Sequence, residues 1–547
     1  MWHSFTSHAV VHPPAELANV QPVTIGKQAN EVGSLQYVAN YDERQQRHIE
    51  RMINQQGDLI FELIQPIAYV IGSGARGYSY LLEDEGLMFQ SPLTWYSQSE
   101  KWDLSPRYDK ENFRFTRRIT DGCLSCHVGR INADPIRENH FLKPHILEAG
   151  IGCERCHGPG QEHIQLHSAN DSLKGEHDPI VNPSSLSDGK RASVCYQCHL
   201  SPDYRVLRAG RSHFDFRPGN PLSDTWVVFS IGTGIGKDGS TDAVNHVEQM
   251  HASECFQQSK SWFGCTSCHN PHQNPPQGQE EIYYRSRCLK CHQENETIDC
   301  SVVEQERLSV TSLDSCIHCH MPKLTASDVA HTSQTDHRIL KRPLKQNTPS
   351  ENSAGVLQLF SQMVGELTSA SVTRAKMILE IPEIVRAKDR FRARELQVQI
   401  QSWLLENPPE ESLVFGLGLL QRLQGAFVDA EKTFLQVLEF NSHSEIALQQ
   451  LMEIYHLQER FEKGLEMADR LLASNPRLSS VWGRKAHMLG RLGKIEEGIT
   501  AAKKSIDLDP SQLQVHAWLV GAYRSVNNNV MASEHAEMVK KLTPLND

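Results

Sequence analysis

Residues 152–163 read GCERCHGPGQEH, and residues 264–272 read GCTSCHNPH. Each segment has two cysteines three positions apart, with a histidine directly after the second. This C-x-x-C-H spacing is the attachment signature of haem c, in which two thiols bind the vinyl groups of one haem and the histidine binds its iron as proximal ligand. It occurs six times and uses twelve of the fourteen cysteines: Cys123, Cys126 and His127; Cys153, Cys156 and His157; Cys195, Cys198 and His199; Cys265, Cys268 and His269; Cys288, Cys291 and His292; Cys316, Cys319 and His320.

Other uses of cysteine fit this pattern less well. Disulfides do not require a histidine after every second cysteine, and zinc sites pair C-x-x-C units without a histidine fixed after each. A thioredoxin-like redox motif is expected once, in a βαβ setting. The sequence therefore predicts six covalently attached haem c groups. Cys255 and Cys300 are left over, and we expect them to be buried thiols or a disulfide.

The six motifs lie between Cys123 and His320, which leaves too few residues for a separate protein core around each haem. We therefore expect the haems to form much of the core, closely packed for electron transfer. The motifs that begin at Cys265 and Cys288 are the nearest in sequence, and the spacing predicts that they hold the closest haems.

The second axial position of each iron distinguishes an electron carrier from an enzyme. A distal histidine closes the site, whereas an open position admits a substrate. Histidines close behind a motif are the best distal candidates, and the Pro before His272 favours contact with a neighbouring haem over its own. The candidates are His163, His272, His331 and His337, with His246 and Met250 as weaker ones.

The rest of the chain limits the other classes of function. Its 547 residues carry a formal net charge of −11, which argues against nucleic acid as a partner because phosphate binding needs a basic surface. No apolar run of 18 residues occurs, so no transmembrane segment is expected. The sequence predicts short strands and a helix around 42–55 within residues 1–119. It predicts a haem domain at residues 120–343 and a polar linker at residues 344–355.

Residues 356–547 contain a repeat. Asn407, Asn441, Asn475 and Asp509 are each 34 residues apart, and proline follows three of them. A 34-residue period with small residues at fixed helical offsets is typical of tetratricopeptide repeats, which stack into a helical solenoid. Three complete copies and a degenerate leading copy fit this pattern.

These segments, with VNPSSL at 181–186, FRPGNPL at 216–222 and DSCIHCHMPK at 314–323, resemble the multihaem c-type cytochromes that end in tetratricopeptide repeats. These belong to the superfamily of nitrifier-type tetrahaem cytochromes and doubled CXXCH proteins. The resemblance implies a mainly α fold: a haem-packed core with little regular structure, a small N-terminal β-containing region and a C-terminal α-solenoid. It also implies His163, His272, His331 and His337 as distal ligands.

Such proteins begin with an export signal, a further C-x-x-C-H and a W-x-x-S-x-x-H-like segment. Here Trp2, Ser4 and His8 resemble that segment. We therefore expect an N-terminally truncated chain in which His8 is a further distal ligand, and we expect it in the periplasm or cell envelope.

Three functions fit the sequence. The favoured one is electron transfer along mostly bis-histidine haems, with a redox partner such as another cytochrome or a quinol-linked complex, and with the repeats docking a protein partner. The second is a multihaem oxidoreductase acting on a small nitrogen or sulfur compound at one open haem. No C-x-x-C-K is present, which disfavours one nitrite reductase class. The third is a scaffold that acts through its repeats.

Overall fold

The computed structural model describes residues 5–7, 23–24, 33–41, 46–168, 178–200, 204–230, 246–259, 263–294, 297–298, 300–326, 329, 333–341, 357–363 and 366–543. The expectations for His8, for His331 and for the linker at 344–355 fall outside these residues. None of the helices in the described ranges is long and apolar enough to cross a membrane.

The chain forms two compact units. One combines His3–Gly150 with Thr373–Asp547, and the other is Ile151–Val372. The N-terminal strands therefore share a unit with the C-terminal repeats, which are distant in sequence. The motif at Cys123 belongs to this first unit, and the other five motifs belong to the second.

Two antiparallel sheets dominate the N-terminal region, ordered β2-β3-β4-β5 and β1-β6-β7-β8-β9. They share an apolar core that includes Tyr37, Phe89 and Trp102. A short helix and a hairpin follow. The elements are β1 (Phe5–Ser7), β2 (Val23–Thr24), β3 (Gly33–Tyr41), β4 (Gln46–Asn54), β5 (Leu59–Pro66), β6 (Tyr69–Ile71), β7 (Gly77–Asp84), β8 (Leu87–Tyr96), β9 (Lys101–Leu104), α1 (Asp121–Leu124), β10 (Arg130–Ala133) and β11 (Phe141–Glu148).

The helix expected around residues 42–55 is wrong. Gln46–Asn54 is strand β4, which pairs with β3 on one side and β5 on the other. His48 and Glu50 on this strand are fully buried. Because these inward-facing side chains are polar, the sequence lacks the alternation of apolar and polar residues that marks a strand.

The second unit has short elements joined by irregular segments, as expected for a core shared with haem. Its apolar core includes Tyr196, Trp226, Met250 and Phe360. Its elements are α2 (Glu154–His157), α3 (Gln161–Ser168), α4 (Asp188–His199), β12 (Arg205–Leu207), β13 (Trp226–Ser230), α5 (His246–His251), α6 (Glu254–Ser259), α7 (Cys265–Cys268), α8 (Glu280–His292), β14 (Gln293–Glu294), β15 (Thr297–Ile298), α9 (Glu304–Val310), α10 (Cys316–His320), β16 (Lys323–Thr325), β17 (Ser333–Thr335) and β18 (Gln358–Leu359), with 3-10 turns at Pro183–Ser185, Leu222–Asp224 and Ser361–Met363.

The C-terminal part is an array of antiparallel helix pairs, which confirms the expected solenoid. The first helices of four successive pairs begin at residues 411, 445, 479 and 513, so the period is 34 residues. A longer leading pair precedes them, which makes one pair more than the sequence suggested. The helices are α11 (Ser369–Ala387), α12 (Arg390–Glu406), α13 (Glu411–Leu423), α14 (Phe427–Phe440), α15 (Glu445–Leu457), α16 (Phe461–Ser474), α17 (Ser479–Arg491), α18 (Ile495–Leu508), α19 (Leu513–Ser525) and α20 (Asn529–Leu542).

The turn inside each of these four pairs has the same backbone conformation. Gly425, Glu459, Gly493 and Asn527 stand 34 residues apart, and each has a φ between 58° and 82°. A left-handed residue after a helix satisfies the last carbonyl groups and reverses the chain, which is why glycine and asparagine are favoured there.

Arginines join the N-terminal region to the repeats within the first unit. Arg114 pairs with Asp509 at the end of α18, and Arg118 pairs with Glu445 at the start of α15. Arg477, in the turn before α17, pairs with Asp84 at 3.3 Å. The N-terminal region is therefore joined to the turns of the repeat array by ion pairs.

Candidate haem sites

Each C-x-x-C-H motif lies on a helix or overlaps the end of one. The motif at Cys123 overlaps α1, that at Cys153 lies at α2, and that at Cys195 forms the C-terminal turn of α4. The remaining three lie on α7, at the end of α8 and on α10. Residues i and i+3 share one face of a helix, so both thiols of a motif can reach the same macrocycle.

Hydrogen bonds fix the orientation of two of the predicted proximal histidines. The Nδ1 atom of His157 lies 2.8 Å from the carbonyl oxygen of Val181, and the Nδ1 atom of His320 lies 2.6 Å from that of Leu340. A carbonyl can only accept, so each Nδ1 carries the proton and each Nε2 is left as the coordinating nitrogen.

Three of the predicted proximal histidines lie against a second histidine. The ring centres of His157 and His272 are 5.9 Å apart with nearly parallel planes, and those of His269 and His337 are 6.4 Å apart. The ring centres of His199 and His246 are 5.8 Å apart. Two imidazoles that share one metal through bonds of about 2 Å have ring centres roughly 6 Å apart. These residues therefore fit bis-histidine haem sites.

The hydrogen bond of His337 supports the same fit. Its Nδ1 atom lies 2.6 Å from the carbonyl oxygen of Thr335, which leaves Nε2 as the coordinating nitrogen. His337 also lies beside His246, at 4.8 Å between ring centres. The two histidines that pair with His269 and His199 are thus neighbours.

His163 is placed differently from the other described candidates. Its Nδ1 atom lies 2.7 Å and 2.9 Å from the two carboxylate oxygens of Asp178, and the Nε2 atom of His167 lies 2.9 Å from the second oxygen. Hydrogen bonds from His167 and His163 hold the pKa of the Asp178 carboxyl well below its usual range. The ligand atoms of the three lie within 4.8 Å of one another, so this set could also hold a divalent cation. Met250, a weaker candidate, packs in the apolar core of its unit.

Thiols of different motifs are in direct contact. The sulfur atoms of Cys195 and Cys265 lie within hydrogen-bonding distance of each other. The sulfur atoms of Cys288 and Cys316 are equally close neighbours. Cys268 also lies near Cys291, so the motifs at Cys265 and Cys288, which are nearest in sequence, are neighbours as well.

Asp314 connects the last two motifs. Its carboxylate lies 2.6 Å from an NH2 nitrogen of Arg285, three residues before Cys288, and 2.7 Å from the Nε atom of Arg307. Arg307 and then Arg285 lower the pKa of Asp314 to about 2. Sequence reasoning missed Asp314 and Asp178, because neither belongs to a motif. The two leftover cysteines, Cys255 and Cys300, are half-buried and form no disulfide, and Cys255 lies near Cys268.

Comparisons with known proteins support the attachment of haem c. Residues 260–297 match the doubled CXXCH motif family, and residues 94–158 match the family of cytochrome c554 and c-prime. The chain is 26% identical over 240 residues to the dissimilatory sulfite reductase MccA of Wolinella succinogenes, covering 37% of this chain and 27% of that protein. It is 27% identical over 217 residues to the multihaem cytochrome MtrA of Shewanella baltica, covering 36% of this chain and 62% of that protein. The chain therefore spans less than two thirds of either relative.

Among solved structures, MamA from Desulfovibrio magneticus matches 30% of this chain and 94% of its own length, at 18% identity and a TM-score of 0.28. The helical period described above, rather than this likeness, defines the repeat array. The attachment motifs, the matching families and the helix pairs identify the chain as a multihaem c-type cytochrome with C-terminal tetratricopeptide-type repeats.

Proposed function

We propose that this protein carries electrons along six covalently attached haems in the periplasm or cell envelope. The observation that supports this most strongly is the set of three histidine pairs, His157 with His272, His199 with His246, and His269 with His337. Two histidines on one iron leave no position for a substrate and favour electron transfer. His163 is proposed as a further distal ligand on the family resemblance and on its bound Nδ1 atom.

Contacts between motifs give the proposed order of the haems. Cys156 lies near Cys195, Cys195 touches Cys265, Cys268 lies near Cys291, and Cys288 touches Cys316. A continuous route through the five motifs of the second unit follows from these contacts. The protein partner at the end of the route is proposed to be another redox protein.

A second candidate function is an oxidoreductase with one open haem. His292 is exposed, and no second histidine ring is packed against it in the described part of the chain. One relative is named a sulfite reductase, and a small sulfur or nitrogen compound would be the substrate class here. The proposal requires that the haem of His292 have no protein ligand on its distal side.

Spectroscopy of the holoprotein tests both functions. If the function is electron transfer, the protein as isolated should contain low-spin haems that do not react with sulfite, nitrite or carbon monoxide. His272→Ala and His337→Ala should each convert one haem to high spin, while His443→Ala, in a repeat turn, should change nothing. If both ligand variants keep every haem low-spin, the proposed pairs are wrong. A reactive high-spin haem in the unaltered protein would favour the oxidoreductase.

A further inference from the structure

A single short loop contacts two histidines that we place on haem irons. The Asp178 carboxylate accepts hydrogen bonds from His163 and His167, and also from the backbone N–H of Ile180 at 3.2 Å. Three residues after Asp178, the carbonyl oxygen of Val181 accepts from His157. The loop that orients the proximal His157 therefore also orients His163.

The two acceptors differ in charge. His157, His320 and His337 each donate from Nδ1 to a neutral backbone carbonyl. His163 donates from Nδ1 to a carboxylate, with both oxygens within 2.9 Å. A charged acceptor makes a stronger hydrogen bond and makes the opposite ring nitrogen a more basic metal ligand.

A more basic ligand stabilises the ferric over the ferrous state, and hydrogen bonding to an axial ligand is one of the ways in which a protein sets a haem potential. We propose that Asp178 is a positioning residue that lowers the reduction potential of the haem bound by His163, relative to haems whose histidines donate to backbone carbonyls. This inference rests on the proposed function, because it requires His163 as an iron ligand.

His167 gives the proposal a second, opposite test. Its Nε2 atom occupies the same Asp178 oxygen at 2.9 Å, so it withdraws part of the negative charge from His163. Because His167 is mostly exposed, its removal should disturb little beyond its contact with His163, whose ring centre lies 4.6 Å away. Asp178→Asn and His167→Ala should therefore move one potential in opposite directions.

The test is an optical redox titration of the purified holoprotein. Asp178→Asn should raise the midpoint potential of one haem and leave the others unchanged. A tenfold change in the preference of the ligand for ferric iron corresponds to about 59 mV. His167→Ala should lower the same potential, and Asp178→Glu should restore it toward that of the unaltered protein. Asp188→Asn is the matched control, since Asp188 is a similarly exposed acidic residue that pairs with Arg191.

His163→Ala separates failure of this inference from failure of the ligand assignment. If His163→Ala makes one haem high-spin while Asp178→Asn and His167→Ala move no potential, His163 is a ligand and the proposed role of Asp178 is wrong. If His163→Ala leaves every haem low-spin, His163 is not an iron ligand and both claims at this site fail. Opposite shifts from Asp178→Asn and His167→Ala, confined to one haem, are the supporting result.

Discussion

Removing the Arg114 side chain should leave a buried carboxylate without its charged partner. The Arg114 Nε atom lies 2.9 Å from both Glu50 oxygens, and another guanidinium nitrogen pairs with Asp509 and lies 2.9 Å from the Ser511 hydroxyl. The Glu50 side chain has no exposed surface and otherwise accepts a hydrogen bond from Tyr37 at 2.8 Å.

The burial of Glu50 sets the magnitude. Removing one partner of a buried ion pair costs about 3–5 kcal/mol, mostly because the other charge is left in a poorly solvated place. Arg114→Ala should therefore destabilise the N-terminal sheets by roughly that amount. With Glu50→Gln added, the only charge that loses its partner is Asp509, whose side chain is partly exposed, so the double variant should cost only about 1–2 kcal/mol.

Urea unfolding of the holoprotein, followed by far-ultraviolet circular dichroism, measures these costs. Arg51→Ala is the matched control, because Arg51 pairs with Glu62 on the same sheet with 38% and 30% of the side chains exposed. Such a surface pair contributes about 0–1 kcal/mol. If Arg114→Ala costs no more than Arg51→Ala, or if Glu50→Gln does not reduce its cost, the reasoning about the buried charge is refuted.

The repeat array and the last two motifs give three more predictions. Gly493→Ala should destabilise the repeats by about 1 kcal/mol because the φ of Gly493 is +78°. Gly521→Ala has equally open space at Cβ but lies inside α19, where alanine is favoured over glycine, so it should stabilise the repeats by a similar amount. Thermal unfolding compares the two variants. Burial lowers the pKa of His516 and of His535, whose Nδ1 atoms lie 3.0 Å apart. Their contribution to stability is therefore present above the unfolded pKa of about 6.5 and lost as pH falls below it. The melting temperature should drop between pH 7 and pH 5, and a flat profile would contradict this. Asp314→Asn should weaken both arginine contacts and lower the free energy of unfolding by about 1–2 kcal/mol. The unaltered protein should lose the same contribution only as pH falls toward 2. Equal stability of the two proteins near neutral pH would oppose this role.

Local patterns were predictable from the sequence. A C-x-x-C-H motif is complete within five residues, and the 34-residue period reports helix pairs that pack mainly on their neighbours. Both could therefore be read without knowing distant contacts. The pairing of His272 with His157 joins positions 115 residues apart, and only the Pro before His272 gave a hint of it.

Contacts between distant parts of the chain were not predictable in this way. β4 was mistaken for a helix because its inward residues are His48 and Glu50, whose partners Ser91 and Arg114 come from elsewhere in the chain. His246 was ranked below His163, yet His246 is the one that lies against a proximal histidine. Neither outcome is encoded in a short window of residues.

The contacts of the repeats narrow the ways in which a partner protein can use them. Arg114 and Arg118 bind turns of the array through Asp509 and Glu445, and Arg477 reaches back to Asp84. This edge of the array is therefore occupied by the N-terminal region of the same chain, and an outside partner must dock elsewhere on the helices or displace that region. Cys123 follows Arg118 by only five residues, so displacement would detach the first haem site from the repeats. We infer that the repeats serve first to hold this site in place, and that deleting residues 373–547 would disturb it even if no partner protein were present.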